Sequence, residues 1–375
     1  MVTCRPASRP AAPASIELRD NRVYLLKTAV LGFAHAHVGM YCDVWRNQPD
    51  LGVEVTSAWD HDAARLADVT AKRSLTAFGD VNEILAQPGL EAVVIGAETS
   101  RHADLVVAAA RAGKRIVLQK PLALTPAQAD TIVQVVAETG VPFTLAWQMR
   151  VDPQNLRMKQ LIQEGTLGRI LMVRRRHGLS THLWAGFENS WHVRPELNRG
   201  MWADDAAHAV DFLYWLLGRP SSVFAEVDTL VNPKIPDDQG IAVFRYTDGT
   251  FAEVCSSFTC VAGENTTEIV GENGTVIQNY GDAPSCQAPR PERAVGLKWF
   301  LRGGQAWIDS GIPSPAGHGE RISGLAAPLA EFLHGRRPPI ATAAEGRDVL
   351  HLTLACHESS TSGRRITLPP KPPSP

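Results

Sequence analysis

The feature that most constrains this chain is an alternation of short apolar runs and helical stretches. Between Val23 and Trp147, β-rich apolar runs fall at Leu26–Leu31, Val53–Trp59, Ala92–Gly96, Arg115–Leu118 and Pro142–Trp147. Helical stretches lie between them, such as His102–Ala112, followed by Gly113, and Pro126–Thr139, followed by Gly140. Thr125, Pro126 and Gln128 supply an N-cap, a first-turn proline and a capping-box partner. Strands apolar on both faces, each followed by a helix, predict a doubly wound parallel sheet.

Beyond Trp147 the pattern changes. One helix is predicted from Asp152-Pro153 to about Glu164, and longer strands with hairpin signals follow. Ile241–Tyr246 and Thr250–Phe258 flank Asp248-Gly249, and Thr267–Val270 and Thr275–Asn279 flank Asn273-Gly274. This region reads as an antiparallel sheet with helices on one side. Ala283–Arg293 reads as a surface loop and Ala343–Ser362 as a final helix.

The bulk properties exclude several classes. A chain of 375 residues predicts two domains. The formal charge of −2 provides no field for nucleic acid or an anionic membrane. The one tight basic run, Arg174-Arg175-Arg176, lies in a predicted strand and reads as a solvated or interface face. Cysteines stand at 4, 42, 255, 260, 286 and 356, and Cys255 and Cys260 are too far apart for a CxxC motif. No metal site is expected, and the thiols fit a reduced, cytoplasmic protein. No apolar run reaches the length of about 18 residues that a membrane span needs. Residues 1–22 and 369–375 read as disordered tails.

The first strand runs into Gly32-Phe33-Ala34-His35-Ala36-His37. The position is that of a phosphate-binding turn, where backbone N–H groups and a helix N-terminus hold a pyrophosphate. Gly32 is present, while Ala34 and His37 replace the second and third glycines. Either His35 or His37 is expected to contact the pyrophosphate, or both pack against neighbouring side chains. Asp60 closes the second strand, 23 residues beyond His37, and suits the adenosine ribose hydroxyls. A carboxylate there favours NAD over NADP. Its alternative role is to cap the next helix, which Asp62 can also do.

Two groups carry candidate chemistry. Lys120 follows the strand Arg115–Leu118, and ligands of open α/β sheets bind beyond the carboxyl ends of strands. Asp204 and His208 are spaced i, i+4 in a helical stretch that ends at Gly218, so they are expected on one face. A histidine beside a carboxylate suits general acid–base work, with Asp204 orienting the substrate or holding His208. Trp184, Trp191, His192, Arg194 and Trp202 lie before or within that stretch. Trp191, His192 and Arg194 are the candidates for substrate contact.

Taken in order, the motifs resemble the glucose–fructose oxidoreductase/inositol dehydrogenase (Gfo/Idh/MocA) family. They are Arg101-His102-Ala103-Asp104, Gly113-Lys114, Gln119-Lys120-Pro121-Leu122-Ala123, Gly165-Thr166-Leu167-Gly168-Arg169-Ile170, Asp204-x3-His208-x2-Asp211 and Ser362-Gly363-Arg364-Arg365-Ile366. The resemblance runs from about residue 26 to 368. It implies an NAD(P)-binding Rossmann domain over 23–147. An α+β domain over 148–368 would follow, with a large, mainly antiparallel open sheet for substrate binding and homo-oligomerisation as a dimer or tetramer. It further implies hydride transfer on a sugar or polyol, catalysed by Lys120, Asp204 and His208, with Thr99, His102, Gln119, Lys120 and Gln148 beside the cofactor. The chain departs from the family pattern in its phosphate turn, at Gln119, at Ala97-Glu98-Thr99 and at Gly200-Met201-Trp202. Those departures bear on cofactor affinity and substrate identity. Two other outcomes are compatible with the same residues: a glycoside hydrolase that oxidises its sugar transiently with NAD, and a non-catalytic sugar-binding member.

Overall fold

A computed structural model describes residues 24–263, 265–279, 295–315 and 317–369. The expected tail at 1–22, the expected tail at 369–375 apart from Pro369, and the loop at 283–293 lie outside the described residues. The first region is a six-stranded sheet: β1 (Leu26–Leu31), β2 (Val53–Trp59), β3 (Thr76–Phe78), β4 (Ala92–Ile95), β5 (Arg115–Leu118) and β6 (Phe143–Leu145). The order is β3-β2-β1-β4-β5-β6, and every pairing is parallel. The expected doubly wound sheet is therefore observed. Its central strands are apolar because helices cover both faces, and Val30, Val94 and Val117 are fully buried. Side-chain caps set the helix starts. Asp62 caps Ala63–Arg73, and Thr125 caps Pro126–Thr139 with Pro126 in its first turn.

The second region is a nine-stranded sheet made of β7 (Ile170–Gly178), β8 (Ser222–Asp228), β9 (Gln239–Arg245), β10 (Phe251–Ser257), β11 (Asn265–Gly271), β12 (Gly274–Gln278), β13 (Leu297–Leu301), β14 (Ile308–Asp309) and β15 (Ile366–Thr367). Both predicted hairpins form, β9 with β10 and β11 with β12. The pairings are antiparallel except β7 with β10. Strand alternation splits the arginine run. Arg174 and Arg176 are exposed, but Arg175 is buried, so the run is not a single solvated face.

The end of the chain returns to the first sheet. The amide of Leu145 in β6 donates to the Ala341 carbonyl, and the Trp45 indole donates to Ala326. The helix Ala343–Ser362 then starts from a capping box of Thr342 and Glu345. The expected division at 147/148 is linear in sequence, whereas in space these last segments pack across it. No helix among the described residues is long and apolar enough to cross a membrane.

Candidate active site

β1 opens into a tight turn that lies against the loop after β4. Gly32 has φ 90°, and a Cβ there would stand 2.5 Å from the Cα of Ala97, so only glycine fits. The His35 amide donates to the Gly96 carbonyl at 2.9 Å. The helix Ala36–Asn47 starts at this point with no side-chain cap and no acidic residue in its first turn. Its positive end is thus uncompensated, as an anion site requires. The His35 ring is buried and packs 4.3 Å from His37, centre to centre. Neither nitrogen of His35 has a partner among the described residues. Burial, then His37 and Lys120, hold its pKa well below the usual histidine value, which keeps it neutral. These features fit a dinucleotide pyrophosphate.

Asp60 lies beside that turn but is already occupied. It accepts from the amides of Phe33 (2.8 Å) and Asp62 (2.9 Å) and twice from Arg65, at 2.7 Å each. Four donors fill the roughly four acceptor positions of a carboxylate. Burial raises its pKa, but Arg65 and the two amides outweigh that and hold it low. Asp62, not Asp60, caps the next helix. The sequence did not flag Arg65, which also donates to Glu98 at 3.0 Å.

The catalytic candidates meet between the two sheets. Lys120 follows β5 and is 2% exposed. Its Nζ donates to Oδ1 of Asp204 at 2.7 Å and to the Asp204 carbonyl at 3.2 Å, and lies 3.6 Å from Oδ1 of Asp205. Burial lowers the Lys120 pKa, but the two aspartates reverse this and raise it above the ordinary value. The same ammonium and the neighbouring histidines hold both aspartates low against their own burial. The site therefore contains one ammonium and two carboxylates.

The relation expected between Asp204 and His208 is not observed. Trp202–Ala206 forms a π-helical turn before the α-helix Ala207–Leu217. The wider turn changes the facing of residues that an α-helix would place together at i, i+4. Asp205 now stands 3.5 Å from Nε2 of His208, while Asp204 bridges Lys120 and Nδ1 of His192 (2.7 Å). Asp204 contacts Lys120 and His192 and does not hold His208. The other oxygen of Asp205 meets Nε2 of His177, in β7, at 3.1 Å. Burial and then Lys120 push the His208 pKa well below the usual value, against the pull of Asp205. A neutral imidazole results, as a base needs.

The segment 181–199 runs as short helical turns against the phosphate turn and the loop after β4. Its Trp191 indole donates to the Ala34 carbonyl at 3.0 Å and stacks on His192 at 3.9 Å. Asn198 accepts from the Thr99 hydroxyl at 2.6 Å. Trp191, His192 and Thr99 therefore meet at the site, whereas the Arg194 side chain is exposed and makes no hydrogen bond or ion pair with the cluster among the described residues. Trp202 is core, its ring packed where Gly240 has no side chain. His102 braces the main chain, with its ring nitrogens on the carbonyls of Pro121 (2.9 Å) and Ala97 (3.2 Å). Gln119 accepts from the Lys120 amide and leaves its buried Nε2 without a partner among the described residues. Gln148 stands 3.2 Å from Nε2 of His208, and its Oε1 has no such partner. Asp205 and His177 were missed. The signals were the Asp204-Asp205 doublet and the placing of His177 two residues after Arg175, on the same face of β7.

Comparison with known proteins places both halves. Residues 26–146 match the oxidoreductase family with an NAD-binding Rossmann fold, and residues 155–277 match the GFO/IDH/MocA C-terminal domain. A levoglucosan dehydrogenase of Pseudarthrobacter phenanthrenivorans is 28% identical over 230 residues, covering 54% of this chain and 58% of that protein. The scyllo-inositol 2-dehydrogenase (NAD(+)) of Bacillus subtilis is 28% identical over 208 residues, covering 53% and 58%. The matched part thus spans under two thirds of either relative. A solved levoglucosan dehydrogenase in complex with NADH and L-sorbose shares the fold, with a TM-score of 0.77 at 22% identity over 92% of this chain and 99% of that one.

Proposed function

The chain belongs to the Gfo/Idh/MocA oxidoreductase family, and on that premise we propose that it is an NAD-dependent dehydrogenase acting on a secondary alcohol of a sugar or polyol. The observation that carries this reading is the buried cluster in which Lys120 holds Asp204 at 2.7 Å with His208 alongside. When bound, the nicotinamide supplies the hydride acceptor. His208, neutral and buried, takes the proton of the substrate hydroxyl. Lys120 has one N–H beyond the two it gives to Asp204, and donates it to the same oxygen as negative charge develops there. Asp204 fixes Lys120 and accepts from His192, and the stacked rings of His192 and Trp191 offer a flat face to a sugar or cyclitol ring.

The phosphate turn with His35 and His37 holds the pyrophosphate, and the Nε2 of Gln119 and the Oε1 of Gln148, which have no partner among the described residues, serve the nicotinamide side. NAD is the preferred cofactor because Asp60 occupies the Arg65 guanidinium with both oxygens. A 2′-phosphate would have to displace a carboxylate to reach that cation. Copies of the chain pair through the open face of the nine-stranded sheet, where Ile241 and Phe251 are exposed. The test is a panel of sugars and polyols incubated with NAD and followed by NADH absorbance. We expect NADH from at least one of them, lost in Lys120→Ala. Absence of NADH across the panel in a protein that binds NAD would overturn the reading.

A further inference from the structure

Two consecutive aspartates face Lys120, and the reaction above uses only one. Asp204 commits one oxygen to Lys120 and the other to His192. Asp205 turns the opposite way. Its Oδ2 lies 3.1 Å from Nε2 of His177, and its Oδ1 lies 3.5 Å from Nε2 of His208 and 3.6 Å from Lys120. We propose that Asp205, fixed by His177, is the counter-charge that lets His208 hold the proton taken from the substrate, so that both act as positioning residues. This inference rests on the dehydrogenase reading given above.

A base that accepts a proton here becomes a buried cation. His208 is 1% exposed, so water cannot solvate that charge. The groups facing it can be named element by element. Lys120 comes from the loop after β5, His177 from β7, His37 from the phosphate turn and Asp205 from its own helix. Trp147, whose ring lies edge-on at 5.1 Å, and Gln148 carry no charge. Lys120 opposes a proton on His208, and the Asp205 carboxylate favours it. Asp204 does not substitute, because it lies on Lys120 and His192 and makes no hydrogen bond or ion pair with His208 among the described residues. With one ammonium and two carboxylates, the cluster has room for one further positive charge. His177 contributes geometry. Its contact on Oδ2 sets the rotation of the Asp205 carboxylate, which keeps Oδ1 between His208 and Lys120.

Asp205→Asn keeps the size of the side chain and removes the charge. Without the carboxylate, protonated His208 is less stable and gives up its proton at lower pH. The acidic limb of the pH profile for alcohol oxidation should therefore move about one unit towards acid, while turnover falls about 30-fold because the base is weaker. KM should change by less than about threefold, since neither residue is placed on the substrate. A purely structural role would lower turnover without moving the limb. His177→Ala should act in the same direction at about fivefold, and His177→Asn, which keeps an N–H donor, should restore most of it.

A second measurement needs no substrate. The ring nitrogen signals of His208, assigned by their loss in His208→Gln, are followed against pH in the full chain and in Asp205→Asn. We expect a midpoint lower by at least about half a unit in the variant. Equal midpoints, or no titration in either protein above the pH of acid unfolding, would overturn the role of Asp205. Failure to find any sugar or polyol that yields NADH would overturn the dehydrogenase reading and leave this measurement decisive for the pair.

Discussion

Lys120 and Arg175 are both cations at 2% exposure, yet their surroundings have little in common. Lys120 faces two carboxylates, and its proton is held more tightly than in water. Arg175 pairs with no carboxylate among the described residues. It donates to the Thr267 hydroxyl at 2.6 Å and the Gln278 side-chain amide oxygen at 2.9 Å, and its guanidinium lies 4.5 Å over the Phe212 ring. Burial, then Arg321, pulls its pKa down to about 9, which still leaves it charged at neutral pH. Where carboxylates outnumber the cation, a proton or a developing negative charge can be exchanged. Where neutral acceptors and a ring surround the cation, there is nothing to exchange, and the side chain joins strands β7, β11 and β12 beneath the helix Ala207–Leu217. The same face of β7 carries both kinds of residue, Arg175 for packing and His177, two positions on, for the site.

Removing Lys120 should have the largest effect. Lys120→Met should lower turnover about 1000-fold, because the developing alkoxide loses its nearest cation. Lys120→Arg should not restore it, since a planar guanidinium does not reproduce a compact ammonium donor. If Lys120→Met kept turnover within about tenfold of the parent, the functional side of the comparison would fail, and Lys120 would be a structural cation like Arg175.

Arg175 should show the reverse profile. Arg175→Ala leaves a cavity against Phe212 and should lower Tm by about 5 °C. Arg175→Met fills that volume without a charge to bury. Thr267 and Gln278 keep the hydrogen bond between them at 2.7 Å, so Tm should stay within about 2 °C of the parent. Both variants should retain turnover within about threefold. A fall in Tm for Arg175→Met as large as for Arg175→Ala would show that the charge, not the packing, holds the sheet.

The contrast also shows what a sequence can carry. The two sheets were legible because burial on both faces and strand alternation leave different residue patterns. Lys120 was legible because ligands of open sheets lie beyond strand ends, while His208 was reached through its spacing from Asp204, a relation the π turn does not preserve. Asp205 was half legible, since i, i+3 residues also share a helix face, but which aspartate of the doublet meets His208 is decided at the π turn Trp202–Ala206, which no local propensity announces. The capture of Asp60 by Arg65 joins positions five apart, but it competes with a ligand for the same oxygens, and spacing cannot decide that competition. The indole bond from Trp191 to Ala34 joins residues 157 positions apart. Reading it would require knowing how the segment 181–199 lies against the phosphate turn.

Arg65 lies between the two extremes, and its removal gives the smallest predicted effect. It is a 24% exposed cation held by two carboxylates, Asp60 and Glu98, at the edge of the cofactor site. Water competes for its charge, so its contribution is limited. Arg65→Ala should free two acceptor positions on Asp60 for the ribose hydroxyls and tighten NAD by about threefold. The same change removes the cation nearest to where a 2′-phosphate would sit and bares the carboxylates, so NADP should weaken by up to about tenfold. Asp60→Ala should act oppositely on both, weakening NAD and narrowing the gap to NADP. The measurement is the Kd of each dinucleotide for the parent and the two variants, at low and high salt. A parent that binds NADP more tightly than NAD, or an Arg65→Ala variant whose two affinities fall together, would mean that Arg65 anchors the cofactor instead of shielding Asp60.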